Sequence, residues 1–289
     1  MNNVRRSEFD SEGEDVKFFL DCRCHDSEWG DRLTLSSGIQ PAWGEFVEDA
    51  MIPRPPWNSA TFERNLVGGD LMRQNFDPGR SVAVVSVNSE ILSPLKSYLE
   101  MLKLTDLDRS VDHCAVEAYA RTAFESLCRR FQFFGTPIFH GLARYLPGLP
   151  TVTRNPRTGK FLGLHLDSWE RKPVERRSES MNRLSINVGN SVRWFLFVDR
   201  TLLGMEKALR RIGFSKRSGC LSDIGPSFMR QMVDYPVKRV KVGPGEAYLA
   251  PTDNIIHDGS SESTDGVGMH LTIRGRFKLV EDAWRYDVS

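Results

Sequence analysis

The spacing of apolar positions changes near residue 137. Before it the clearest pattern is helical: Ala115, Ala118, Tyr119, Ala123, Leu127 and Phe131 recur at three- and four-residue steps, which predicts a helix over 111–131. Ser93-Pro94 opens a second predicted helix to about Leu104, with proline in its favoured first turn. β-prone runs stand at Val16–Leu20 and at Ser81–Val87. Between them residues 26–80 read as loop-rich. Trp29, Trp43 and Trp57 sit there among proline, glycine and asparagine, and Pro53-Arg54-Pro55-Pro56 is excluded from a helix interior. Beyond 148 the pattern is one of short strands: Thr151–Thr153, Phe161–His165, Arg183–Val188, Arg193–Val198, Val237–Val242, Glu246–Ala250, Asn254–His257 and Met269–Phe277, separated by turn residues. A helical insert at 201–233 interrupts the series. The expected fold is mainly β with α, a jelly-roll core at 137–289 buttressed by N-terminal helices. The core and a helical, loop-rich layer at 16–136 form one domain, after a polar, disordered segment at 1–15.

Composition narrows the function classes. With 289 residues, 27% charged positions and a net charge of +1, no basic stripe dominates, so a nucleic-acid partner is not expected. The arginine-rich run at 171–177 is mixed in sign, with Glu170, Glu175 and Glu179 in and around it. No apolar run approaches the ~20 residues that span a bilayer. The start, Met1-Asn2-Asn3-Val4-Arg5-Arg6, lacks the apolar core of a signal peptide, and a cytoplasmic protein is expected. Five scattered cysteines fit reduced thiols, and Cys22-Arg23-Cys24-His25 has no second cluster to complete a zinc site.

Candidate chemistry centres on Gly163-Leu164-His165-Leu166-Asp167. Side chains alternate along a strand, so His165 and Asp167 point the same way and can hold two positions of a metal. His257 lies 90 residues after Asp167 (257 − 167), at the end of another short apolar run, and offers the third ligand. Two imidazoles and one carboxylate leave three positions open, which suits Fe(II) binding a chelating co-substrate and O2 together. The last strand puts Met269, Leu271 and Ile273 on one face and His270, Thr272, Arg274 and Arg276 on the other. A cationic face so late in a β-rich domain makes sense if it looks into a barrel that holds an anion.

His165-x-Asp167, then His257, then Arg274, all among short strands, resembles the Fe(II)/2-oxoglutarate-dependent dioxygenases over roughly residues 137–280. The resemblance implies a double-stranded β-helix with His165, Asp167 and His257 as iron ligands and catalytic centre. It implies 2-oxoglutarate as co-substrate, O2 as oxidant, and Arg274 as partner of a 2-oxoglutarate carboxylate. Many members carry that arginine nearer the distal histidine in an Arg-x-Ser pattern. Here that slot reads His270-Leu271-Thr272, with His270 13 residues on (270 − 257) and Arg274 17 on (274 − 257). Members resembling taurine dioxygenase have an arginine further along, so His270, Arg274 and Arg276 all stand as candidates. The strand Asn182–Gly189 is similar to one in aspartyl/asparaginyl hydroxylase-like members, which implies that Ser185 and Asn187 face the co-substrate. The implied activity is hydroxylation of a small polar metabolite, an amino-acid derivative or a natural-product intermediate. The segment from Ser168 to Glu179 is then a flexible loop over the barrel mouth. The other reading is a cupin-type metal protein or dioxygenase without 2-oxoglutarate, which needs no Arg274.

Overall fold

The computed structural model describes residues 15–21, 32–60, 66–69, 76–87, 89–101, 118, 121, 132–214 and 223–278. Among the described residues there are fourteen strands and three α-helices. The strands are β1 (Lys17–Asp21), β2 (Leu33–Leu35), β3 (Gly38–Pro41), β4 (Met51–Arg54), β5 (Asn58–Ser59), β6 (Leu66–Gly69), β7 (Ser81–Ser86), β8 (Gln132–Tyr145), β9 (Asn182–Asn187), β10 (Arg193–Phe197), β11 (Lys238–Val242), β12 (Glu246–Ala250), β13 (His257–Ser260) and β14 (Gly268–Lys278). The α-helices are α1 (Ser89–Met101), α2 (Leu202–Arg211) and α3 (Ile224–Gln231), with a 3-10 helix at Val174–Glu179.

Two sheets face each other. The larger runs β6-β1-β7-β12-β9-β14-β8 and the smaller β13-β10-β11-β2-β5. Within each, strands remote in sequence alternate as antiparallel neighbours: β14 lies between β8 and β9, and β10 between β11 and β13. This is a jelly-roll, double-stranded β-helix core.

Alternation along the strands sorts side chains into three layers. Leu184 and Ile186 of β9, Leu249 of β12, and Leu271 and Ile273 of β14 point outward and bury against Leu92, Leu95 and Leu99 of α1. Leu196 of β10 packs on the other outer side, against Met205 and Leu209 of α2 and Phe228 and Met229 of α3. Full burial of each such side chain contributes about 1.5–3 kcal/mol. Thr201 caps α2, its Oγ accepting from the Gly204 amide at 3.1 Å. The layer between the sheets is apolar on one side, where Phe18, Val82 and Val84 meet Phe195, Phe197 and Val240, and Phe195 stacks on Tyr248 at 4.0 Å. On the other side it is polar, lined by Ser185, Asn187, Arg193, His270 and Thr272, all buried.

Several expectations need correction. The expected strands at Val16–Leu20 and Ser81–Val87 are present as β1 and β7 of the larger sheet, but the loop-rich segment between them also forms strands: β6 extends the larger sheet, and β2 and β5 extend the smaller. Short runs such as Leu33–Leu35 carry too little periodicity to stand out, and a neighbouring sheet edge recruits them. The predicted helix over 111–131 lies outside the described residues except at 118 and 121, both helical. Strand β8 begins at Gln132, before the expected break at Gly135-Thr136-Pro137, and passes through Gly135 and Gly141 at positive φ. Two register shifts against β14 absorb the distortion. Phe161–His165 is no continuous strand; it touches its neighbours through single bridges at Phe161 and His165. Asn254–Ile256 is turn and connector, and β13 starts at His257. Among the described residues no helix is long and apolar enough to cross a membrane.

Candidate metal centre

The bridge at His165 builds the site. His165 and His257 exchange both backbone hydrogen bonds, at 3.0 and 2.8 Å, so they are directly opposed and their side chains lie on one face. Their rings are 4.7 Å apart. Gly163 lets the segment before His165 lie against Met51 of β4. It sits at φ +71°, and a Cβ there would lie 2.5 Å from the Met51 carbonyl oxygen. Its own carbonyl is 2.8 Å from His165 Nδ1. Leu164 and Leu166, the alternate residues, pack into the outer core and leave His165 and Asp167 on the inner side.

Asp167 is tied by its amide to the Thr252 carbonyl at 3.0 Å. Its Oδ1 lies 4.0 Å from His165 Nε2 and its Oδ2 3.7 Å from His257 Nε2. The three residues offer ligand atoms that all lie within 4.8 Å of one another. Burial works to raise the Asp167 pKa, but the Arg183 guanidinium and the two imidazoles hold it well below the usual carboxylate range. Arg183 donates to Asp167 Oδ2 at 2.8 Å.

His257 is the test of whether a cation fits. It is 1% exposed, and burial pushes its pKa down to about 3, so it is neutral. Its Nδ1 faces the Ile255 carbonyl at 3.2 Å, which places the ring proton there. That leaves Nε2 as a bare acceptor, buried without a hydrogen-bond partner and aimed at Asp167. A buried lone pair facing a carboxylate has nothing to accept from in the protein; a divalent cation satisfies both groups.

Beyond the triad the chamber is cationic. Arg193 of β10 is 2% exposed. Its Nη1 donates to Ser185 Oγ at 2.8 Å, and its guanidinium lies 5.3 Å from the Tyr248 ring and 5.8 Å from the Tyr145 ring. Other buried cations face a carboxylate: Arg32 meets Glu246 at 2.7 Å, Lys238 meets Asp199 at 3.1 Å, Arg200 meets Asp15 at 3.4 Å, and Arg177 and Arg274 share Asp253 at 3.9 and 2.7 Å. Among the described residues Arg193 alone has none. Arg193 Nε, the Tyr145 hydroxyl and His270 Nδ1 are all buried without partners. Tyr145 and His270, whose rings are 5.5 Å apart, border a recess of about 460 Å³ whose lining holds Arg183, Arg144 and Arg154 but no acidic side chain. Burial raises the Tyr145 pKa, keeping its hydroxyl a donor; burial and the charges of Arg193 and Arg183 push His270 well below its ordinary value.

The geometry is that of a facial-triad metal site. No family model and no curated protein matches the chain. Among solved structures it is similar to the Kdo hydroxylase KdoO, described as a non-heme Fe(II) alphaketoglutarate dependent dioxygenase. The matches are its complexes with cobalt(II), with succinate and Fe(III), and with alphaketoglutarate and Fe(III). Identity is 13%, the match covers 69% of this chain and 80–81% of that one, and the TM-scores are 0.34–0.35. Similarity at this level transfers neither a fold nor an activity.

The remaining candidates fall in different places. His270 and Ser185 lie in the chamber beside Arg193. Asn187 closes the β9–β10 turn, donating to the Ser191 and Val242 carbonyls at 2.9 and 3.0 Å and accepting from the Gly189 amide at 3.2 Å. Arg274 is buried, but its charge is spent on Asp253, with the Trp169 ring 5.1 Å away. Arg276 is exposed and 3.5 Å from Glu170. The charged run after Trp169 is anchored: Arg177 is buried, the Glu170 amide donates to Asp253, and Glu170 Oε2 accepts from the Met181 amide. Arg183 and Arg193 escaped the sequence reading. Each carried a signal: Arg183 shares strand parity with Ser185 and Asn187, and Arg193 shares it with the core residues Phe195 and Phe197.

Proposed function

We propose that the protein is an Fe(II)- and 2-oxoglutarate-dependent oxygenase that hydroxylates a small polar molecule. The observation that carries this reading is a two-histidine, one-carboxylate centre sharing a barrel with a buried arginine that no carboxylate among the described residues neutralises. His165, Asp167 and His257 would hold the metal. Arg193, with the Tyr145 hydroxyl and His270 beside it, would hold the distal carboxylate of 2-oxoglutarate. This assigns to β10 the role that the resemblance gives to Arg274. A guanidinium with free donors matches a carboxylate in a fork. Arg183 keeps Asp167 ionised and oriented, so that one carboxylate oxygen stays available.

Bound there with a 2-oxo acid, Fe(II) supplies the means to activate O2. The balanced reaction is R–H + O2 + 2-oxoglutarate → R–OH + succinate + CO2. The chain's own contribution is position and dryness: the triad is mostly buried, and the stacked Phe195 and Tyr248 exclude water from behind it. The near-neutral surface supports a small metabolite, such as an amino-acid derivative or natural-product intermediate, over a nucleic acid. A cytoplasmic setting belongs to the same proposal.

Anaerobic protein given Fe(II) and 2-oxoglutarate is expected to develop a weak visible charge-transfer band. Its absence in fully metallated protein overturns the co-substrate. Succinate release on screening small amines, amino acids and organic acids identifies the substrate.

A further inference from the structure

Asp258 follows the distal histidine and has no place in the reading above. Its side chain is fully buried. One oxygen, Oδ1, is held by three donors: the Gly259 amide at 2.6 Å, the Thr153 hydroxyl at 2.7 Å and the Thr153 amide at 3.2 Å. The other, Oδ2, has no hydrogen-bond partner and lies 3.7 Å from His165 Nδ1. A buried carboxylate oxygen without a donor is costly. Three donors on Oδ1 prevent the carboxylate from turning Oδ2 elsewhere. The arrangement therefore aims the unpaired carboxyl oxygen at the Nδ1 edge of one imidazole.

That imidazole carries its proton on Nδ1, because Nδ1 faces the Gly163 carbonyl at 2.8 Å. Its Nε2 is then the lone pair turned toward Asp167 and the metal position. We propose that Asp258 is a positioning residue for the metal centre: the Gly163 carbonyl sets the His165 tautomer, and Asp258 Oδ2, 3.7 Å from the same Nδ1, holds the ring angle and strengthens Nε2 as a donor. Thr153 supports it by pinning Oδ1. The inference rests on the metal reading of His165, Asp167 and His257. His257 has no such carboxylate on its Nδ1 side, where the Ile255 carbonyl stands. The two histidines are thus supported unequally.

The test uses Co(II) as probe, titrated into the metal-free full chain and read from its visible bands, with no turnover involved. Asp258→Asn keeps the oxygen that accepts from Thr153 and Gly259 and places an NH2 where Oδ2 stands. Its Co(II) dissociation constant is expected to rise about 10–100-fold, with the melting temperature of the metal-free protein nearly unchanged. Thr153→Val, which keeps the carboxylate, is expected to weaken binding less than tenfold. Equal Co(II) affinity and bands in wild type and Asp258→Asn overturn the inference. So does a loss of affinity that merely follows a loss of melting temperature in both variants. If Asp258→Asn does not fold, Thr153→Val decides: with its melting temperature retained, a Co(II) dissociation constant equal to that of wild type overturns the inference. Wild type that binds no Co(II) refutes the metal centre itself, which is a different result.

Discussion

Replacing Arg193 with methionine separates a cation kept for the fold from one kept for a ligand. Methionine has a similar reach, fills the space beside Tyr145 and Tyr248, and carries no charge. In the metal-free protein the variant loses one hydrogen bond to Ser185 Oγ at 2.8 Å, a contribution of about 1–1.5 kcal/mol. It also loses two guanidinium contacts with tyrosine rings at 5.3 and 5.8 Å, about 0.5–1 kcal/mol each. Against this stands the cost of burying a charge that no carboxylate offsets, several kcal/mol. The expected sum is a stability unchanged or higher by about 1–3 kcal/mol, the sign found when buried ions give way to packed apolar groups. Co-substrate binding moves the other way. Removing one partner of a buried, hydrogen-bonded charge pair costs about 2–5 kcal/mol, or roughly 30- to 5,000-fold in the 2-oxoglutarate dissociation constant. Chemical denaturation of the metal-free protein reads the first quantity, and anaerobic titration of the charge-transfer band reads the second, with Fe(II) affinity as control. A variant that is destabilised by more than about 3 kcal/mol, or that binds 2-oxoglutarate within threefold of wild type, refutes the assignment. Arg274→Met should give the converse: co-substrate affinity retained and stability lost, because Asp253 is left with Arg177 at 3.9 Å.

Two further outcomes follow from the same geometry. Gly163→Ala puts a Cβ 2.5 Å from the Met51 carbonyl oxygen at φ +71°, and the left-handed conformation alone costs about 1–2 kcal/mol. A loss of at least 2 kcal/mol on denaturation is expected, together with weaker Co(II) binding, and wild-type affinity in the variant would count against the backbone argument. For pH, His257 has a folded pKa near 3 against about 6.5 when unfolded. The unfolded chain then binds more protons, so metal-free stability falls as pH drops below about 6.5, by up to about 1.4 kcal/mol per pH unit for each such histidine. His270, also depressed, adds in the same direction, whereas Asp167 adds only below about pH 4. His257→Asn should lower the slope between about pH 6.5 and 4.5, leaving the part due to His270 and His140, which is also depressed by burial; an unchanged slope refutes the assigned neutral state.

Much of the core was legible because strand alternation survives in sequence. Leu184 and Ile186 against Ser185 and Asn187, or Leu271 and Ile273 against His270 and Thr272, announce their faces without any coordinates. The grouping of His165, Asp167 and His257 was legible from the His-x-Asp spacing and the second apolar run, although His165 is held by a single bridge and not by a continuous strand. Of the N-terminal strands, β1 and β7 were legible as the runs Val16–Leu20 and Ser81–Val87, and the short ones were not. Strands β2 and β5 have only three and two residues, too short for a period, and they exist because the edge of β11 was free to take them.

The co-substrate residues show a different limit. Pattern does not rank Arg274 against Arg193: each is a cation at an inward position of a strand. What separates them is the presence of Asp253, which no spacing rule predicts. Asp253 lies in the turn that delivers His257 and gathers Arg274, Arg177 and the Glu170 amide at once. Those three groups come from β14, the 3-10 helix and the segment after Asp167, so a single buried carboxylate fastens the covering segment to the barrel beside the metal position. Burial raises the Asp253 pKa and the two arginines oppose it. An arginine committed to that joint is unavailable to a ligand without loosening the cover. The chamber therefore needs a second cation that owes nothing to the fold, and Arg193 meets that condition.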